Sequence, residues 1–189
     1  IAGGILACRN DEKHMKSARD HGIKMFDMVV VNLYPFKNTV EKGGEMADII
    51  ENIDIGGPTL IRSAAKNFKD VVVITSHEDY AAVIEEMKNN NGAVSIETKF
   101  RLATKAFSHT ALYDGYISSY FSKIDHKGEI LNEDPGIITL QFTKKEHLRY
   151  GENPHQKASF YVDNSGITGT VASARQLHGK QLSFNNYME

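Results

Sequence analysis

Two short valine-rich runs, residues 26–32 (Phe-Asp-Met-Val-Val-Val-Asn) and 71–75 (Val-Val-Val-Ile-Thr), limit what this chain can fold into more than any other feature. Neither alternates apolar with polar side chains. Continuous apolar runs between helical patterns predict strands buried on both faces of a parallel sheet. Between them the pattern predicts a helix over about 46–52 and a second opened by Pro58, so the order is strand, helices, strand, as in a crossover unit. Pro58 suits a first helical turn because its missing amide hydrogen has no intrahelical partner there. That helix is expected over about 59–67, with Gly56 and Gly57 giving the chain a tight entry.

Further helices follow from spacing. Residues 11–21 predict a short surface helix. Ser76-x-x-Asp79 has the form of a capping box ahead of a helix whose inner face takes Tyr80, Val83, Ile84 and Met87, ended by Asn89-Asn90-Asn91-Gly92. Residues 95–122 predict the longest helix, with one apolar stripe through Ile96, Phe100, Ala103, Phe107, Ala111, Ile117 and Phe121. A second stripe takes Leu102, Ala106, Tyr113, Tyr116 and Tyr120, and two stripes need two covering surfaces, the sheet and a second domain or subunit. From His126 to Gly136 the composition turns polar, as in a linker. Residues 137–142 and 159–162 then predict strands around a polar loop at 149–157, and no closing element is expected after Leu182.

The charge balance, 22 Lys plus Arg against 24 Asp plus Glu, gives a formal net charge of -2 and no basic field to recruit nucleic acid or anionic lipid. Cys8 is the single cysteine, which excludes an internal disulfide and a cysteine-rich metal site and suits a reducing, cytoplasmic setting. No apolar run approaches the roughly 20 residues a membrane helix needs. A chain opening on Ile1 without Met reads as the interior of a longer polypeptide.

In an open parallel sheet, ligands bind beyond the carboxyl ends of the strands. Asn32 and Tyr34 leave the first strand at that edge, and Asp54 with the turn Ile55, Gly56, Gly57 and Thr59 enters the next helix there. Free amides and the helix macrodipole at this point favour an oxyanion or phosphate. For Asp54 alone, capping is the simpler reading. Lys66 lies two turns along the helix, either solvated or a long arm reaching into a cleft. His109, amid aromatic residues of the long helix, is expected to be structural rather than catalytic.

Asn32-Leu-Tyr-Pro-Phe, Ile53-Asp-Ile-Gly-Gly-Pro-Thr-Leu-Ile-Arg-Ser-Ala-Ala-Lys-Asn, Lys105-Ala-Phe-Ser-His-Thr and Leu148-Arg-Tyr-Gly-Glu-Asn-Pro-His-Gln resemble the bifunctional purine biosynthesis enzymes, which join an inosine monophosphate (IMP) cyclohydrolase to an aminoimidazole carboxamide ribonucleotide (AICAR) formyltransferase. The match runs in order from Gly3 to about Asn186. The resemblance implies an α/β fold: a methylglyoxal-synthase-like parallel sheet with flanking helices over 1–125, its N-terminal part missing, a linker over 126–148, and the start of a second α/β domain, the transferase, over 149–189. It implies catalytic roles for Tyr34, Asp54 and Lys66. Substrate contacts are implied for Asn32, Ile55, Gly56, Gly57, Thr59, Arg149 and Tyr150.

The implied reaction closes the purine ring of formyl-AICAR to IMP with loss of water, with amides around Ile55 to Gly57 as an oxyanion hole. No cofactor or metal is implied for the cyclohydrolase; 10-formyltetrahydrofolate is the transferase co-substrate. The implied partners are formyl-AICAR, AICAR, IMP and a second copy in a homodimer. The family's phosphate loop before Gly3 and the transferase's catalytic Lys-His pair are not in this sequence, so the chain is expected to be incomplete for both activities; Lys13-His14 is a coincidental dipeptide. The alternative is a non-catalytic module of the same fold that binds a phosphorylated effector. A carboxylate facing phosphate argues against it.

Overall fold

The computed structural model describes residues 1–131, 134–163 and 167–188. They form two compact units, Ile1–Gly136 and Ile137–Glu189.

The first unit is built on two parallel strands, β1 (Met28–Val30) and β2 (Val72–Ile74), in register at Val29 and Val73. Ahead of β1 come α1 (Ala2–Leu6) and α2 (Glu12–Asp20), whose start is capped by the Asp11 carboxylate accepting from the amides of Lys13 and His14. Between the strands lie α3 (Phe36–Glu41), α4 (Met46–Glu51) and α5 (Gly56–Lys66). After β2 come a short 3-10 turn, His77–Asp79, then α6 (Tyr80–Asn89) and α7 (Ile96–Phe121). Asn91 and Gly92, both at positive φ, end α6 where the Asn-Gly run predicts.

Successive β2 side chains face opposite ways, so each face joins its own core. Val71 and Val73 pack with Val29, Ile5 and the stripe Ile61, Ala64 and Ala65 of α5. Val72 and Ile74 pack with Val83 of α6 and Leu102 of α7. A third cluster joins Phe36, Ile49 and Tyr113.

Four sequence expectations change here. β1 is not covered on both faces, since Val30 is exposed, whereas Val72 and Ile74 of β2 are buried against Val83 of α6 and Leu102 of α7. The Pro58 helix begins at Gly56 rather than Thr59, because cap bonds and packing outweigh the poor helix propensity of two glycines. Ile84 is exposed rather than on the inner face of α6. Asp79 does not complete a capping box: Ser76 Oγ accepts from the Glu78 amide, while the buried Asp79 carboxylate turns to α7, 2.6 Å from Lys105 Nζ and 3.2 Å from Arg101 Nη1. Burial by itself raises the Asp79 pKa, but hydrogen bonds and charge from Lys105 and Arg101 outweigh it and hold the carboxyl below its ordinary range.

The two stripes of α7 have different fates. Leu102, Ala106 and Tyr113 of the second are buried, joined by Ala103 and Thr110. Ile96, Phe100, Phe107 and Phe121 of the first are exposed in this unit, Phe100 at 59%.

The second unit is an antiparallel pair, β3 (Phe142–His147) and β4 (Ser159–Asp163), with a bulge between Lys144 and Glu146, and a short helix α8 (Phe184–Met188). The strand expected over 137–142 is therefore displaced to β3. A closing element does follow Leu182: Asn186 Oδ1 accepts from the Ser183 amide and hydroxyl, and Tyr187 stacks on Phe160 at 4.3 Å while its hydroxyl donates to Glu146. The boundary between units falls within the stretch read as a linker, and β3 lies at that stretch's end.

Candidate functional site

At the carboxyl end of β1, the Asp54 carboxylate gathers two amides from two segments. Gly57 N–H donates to Oδ1 at 2.7 Å, and Tyr34 N–H donates to Oδ2 at 3.3 Å. The first bond caps α5 across three residues, although Ile55 stands at the helix boundary without a side-chain cap bond. The second ties the α5 entry to the Tyr34-Pro35 turn leaving β1. Both readings of Asp54 are thus present in one geometry: it caps the helix, and it faces the segment that carries Tyr34.

Gly57 is where this geometry requires glycine. A Cβ there would lie 2.6 Å from both Asp54 Oδ2 and Leu33 Cδ2, so any side chain would displace the carboxylate. A Cβ at Gly56 meets nothing within 4 Å. The two glycines, equivalent in the sequence, have different jobs.

The arrangement also alters what the helix start can bind. Asp54 already places negative charge there, and it takes the Gly57 amide. The Ile55 and Gly56 amides make no hydrogen bond to described residues and remain available. A phosphate on this helix start would face the Asp54 charge, whereas a neutral carbonyl oxygen that becomes negative only during reaction would meet the remaining amides. Around them Tyr34 is 57% exposed and Ile55 74%; Asn32 and Thr59 are exposed too, with the Thr59 hydroxyl turned back to the Ile55 carbonyl.

Lys66 is not brought to this group. It ends the 11-residue α5 that Asp54 precedes, about 16 Å away along the axis at 1.5 Å per residue. There it lines a cleft of about 390 Å³ with Cys8, His14, Ser17, Ile23 and Asn67, where His14 Nδ1 accepts from the Cys8 amide at 3.2 Å. Arg149 and Tyr150 belong to the second unit, with the guanidinium 5.0 Å from the center of the Tyr150 ring beside the Gly151–Gln156 backbone turn. Half-buried His109 has no hydrogen-bond partner for Nε2 among the described residues. Burial first, and then the neighbouring Lys105 charge, lower its pKa and keep the ring neutral.

One contributor has no local signal in the sequence. Tyr113, 59 residues beyond Asp54, accepts the Asp54 N–H on its hydroxyl at 2.9 Å and donates to the Asn52 carbonyl at 2.9 Å. In the sequence it stands out only as a position in an apolar stripe. Among the described residues no cluster of His, Cys, Asp or Glu could hold a metal ion, and no helix is long and apolar enough to cross a membrane.

A two-strand parallel core with flanking helices, and polar groups gathered where β1 ends, fit the methylglyoxal-synthase-like class, whose MGS-like domain model matches residues 4–59. The model described as AICARFT/IMPCHase bienzyme matches residues 64–189, and the chain belongs to that family. It is 51% identical over 187 residues to the bifunctional purine biosynthesis protein PurH of Ruminiclostridium cellulolyticum, covering 98% of this chain and 35% of that protein. A solved structure titled "Crystal structure of ForH" is similar at 32% identity and a TM-score of 0.54, over 64% of this chain and 62% of that one. The chain thus spans about a third of the length of the PurH relative.

Proposed function

We propose that the Asp54 group serves ring closure in purine biosynthesis, in a protein that pairs this cyclohydrolase chemistry with folate-dependent formyl transfer. The observation that carries the reading is one carboxylate held between the Tyr34 segment and the start of α5, beside two available amides.

In formyl-AICAR the carboxamide nitrogen attacks the formyl carbon. A C–N bond forms, the nitrogen gives up a proton, and the carbonyl electron pair moves onto oxygen. Asp54 is placed to orient that nitrogen or take its proton, and the Ile55 and Gly56 amides to meet the developing oxyanion. Protonation of the oxygen, with Tyr34 as the proposed acid, gives a carbinolamine. Loss of water, with the formamide nitrogen releasing its proton, completes the ring. Exposed Tyr34 and Ile55 offer apolar surface for a flat heterocycle, and the nucleotide phosphate is held away from Asp54. Lys66, at the other end of α5, acts outside this proton transfer.

Arg149 and Tyr150 are proposed to contact nucleotide in the transferase part, where 10-formyltetrahydrofolate is the one-carbon donor. The protein is proposed to work in the cytoplasm as a homodimer, consistent with the apolar outer row of α7. The effector-binding alternative is not favoured, since family membership and the Asp54 geometry both point to turnover. In the complete protein that carries this sequence, Asp54→Asn is expected to lower turnover of formyl-AICAR at least about a hundredfold, the scale of acid–base catalysis, with IMP binding retained. Lys66→Met is expected to cost less than about tenfold. Near-normal turnover of Asp54→Asn removes the carboxylate from the chemistry, and an equal loss in Lys66→Met restores the lysine to it.

A further inference from the structure

We infer that Tyr113 is a positioning residue for the Asp54 group, fixing through one side chain the spacing between the two segments that form the site. The inference rests on the reading of Asp54 given above.

Tyr113 is 7% exposed, and both hydrogen-bonding capacities of its hydroxyl are directed at the α4–α5 connection. It accepts the amide of Asp54 itself and donates to the carbonyl of Asn52, where α4 ends. Ile53 and the peptide planes on either side are thereby held, and with them the direction in which the Asp54 side chain leaves the backbone. The Tyr113 ring meets Phe36 edge-on at 6.3 Å. Phe36, 1% exposed, lies two residues after Tyr34, and its amide donates to the Tyr34 carbonyl at 2.8 Å. The hydroxyl therefore holds the Asp54 segment and the ring holds the Tyr34 segment. The 3.3 Å bond from Tyr34 N–H to Asp54 Oδ2 closes the circuit.

Core packing alone would be served by phenylalanine. A phenol costs desolvation on burial unless both its donor and its acceptor are used, and here both are used on backbone next to Asp54. Burial, set against the hydrogen bond from the Asp54 amide, raises the Tyr113 pKa and keeps the phenol protonated so that it can donate to Asn52. Tyr120, one of the rings on the same helix, also meets Phe36 edge-on, at 5.9 Å, but makes no hydrogen bond to the Asn52–Asp54 backbone.

The test is a double-mutant cycle in the complete protein, measuring kcat and KM for formyl-AICAR cyclisation, with circular dichroism at the assay temperature. Tyr113→Phe removes the hydroxyl and keeps the ring. It is expected to lower kcat about tenfold, the scale of one well-aligned hydrogen bond, with KM changed less than about threefold. Tyr120→Phe is expected to leave both constants unchanged. In an Asp54→Asn background, Tyr113→Phe is expected to have no further effect, because the group it positions no longer acts.

A full tenfold loss in that background overturns the inference while leaving Asp54 catalytic. Unchanged kcat in Tyr113→Phe, or a variant that is unfolded at the assay temperature, also overturns it in favour of a packing role. If Asp54→Asn alone turns over normally, the reading of Asp54 fails and the positioning role fails with it.

Discussion

Replacing Gly57 with alanine places one methyl group where the structure has the Asp54 carboxylate and Leu33. At 2.6 Å from Leu33 Cδ2, that carbon is at least about 0.9 Å inside favourable carbon–carbon separation, and it is 2.6 and 2.8 Å from the Asp54 oxygens. The carboxylate must turn away, which breaks its 2.7 Å bond to the residue 57 amide. Losing a helix cap costs about 1 kcal/mol, and overpacking costs about 1–3 kcal/mol. Reduced freedom of the unfolded chain returns about 0.4–1 kcal/mol. The net destabilisation is about 1–3 kcal/mol, a fall in melting temperature of roughly 4–10 °C for a unit of this size. Gly56→Ala meets no atom within 4 Å and receives only the favourable contribution, so its melting temperature should hold or rise by a few degrees. Thermal unfolding followed at 222 nm compares the two variants directly. Equal melting temperatures would show that the space around residue 57 does not hold Asp54 in place.

The Asp79 cluster predicts an acid limb to stability. Because the folded pKa is depressed, the contribution is complete above the unfolded value of 3.8 and is lost as pH falls through the lower folded value. Asp79→Asn should cost about 1–3 kcal/mol at neutral pH and flatten that limb in acid denaturation curves; a parallel limb in the variant would assign it to other carboxylates. The second unit has the opposite dependence. Burial first, then the hydrogen bond to Glu146, push the Tyr187 hydroxyl from 10.0 up to about 12, so its contribution is complete below pH 10 and fades as pH approaches 12. Ultraviolet titration should show tyrosines ionising late, Tyr113 and Tyr187 among them, with one fewer in Tyr187→Phe; an unchanged titration refutes the assignment.

The central sheet was legible because continuous valine runs have few other homes, and α7 because its stripes persist over 26 residues. The start of α5 was less so: two glycines and a proline argue for a later beginning, and only the Asp54 bond and the close approach of Leu33 explain why the helix opens at Gly56. β3 has no signature in the sequence because Phe-Thr-Lys-Lys-Glu-His carries no apolar alternation; its order comes from backbone pairing with β4. At the site, Tyr34 and Asp54 could be placed at one sheet edge by topology, since strand ends and helix starts meet there. Lys66 shares a helix face with Thr59, yet the rise along the axis separates it from Asp54; periodicity reports the face and not the length. Tyr113 was visible only as an apolar position, because its link to Asp54 spans 59 residues and depends on how α7 crosses the α4–α5 connection.

The 26-residue span of α7 acts as a ruler between two loops. Part-way along it Lys105 grips Asp79 after β2, and two turns further Tyr113 grips the backbone before α5. With 3.6 residues per turn, inserting or deleting one residue between these two points would swing one of them about 100° off its target. Length change should therefore be tolerated in the Asn-Gly turn ahead of this rod and forbidden between Lys105 and Tyr113, whatever side chains are exchanged on its outer surface.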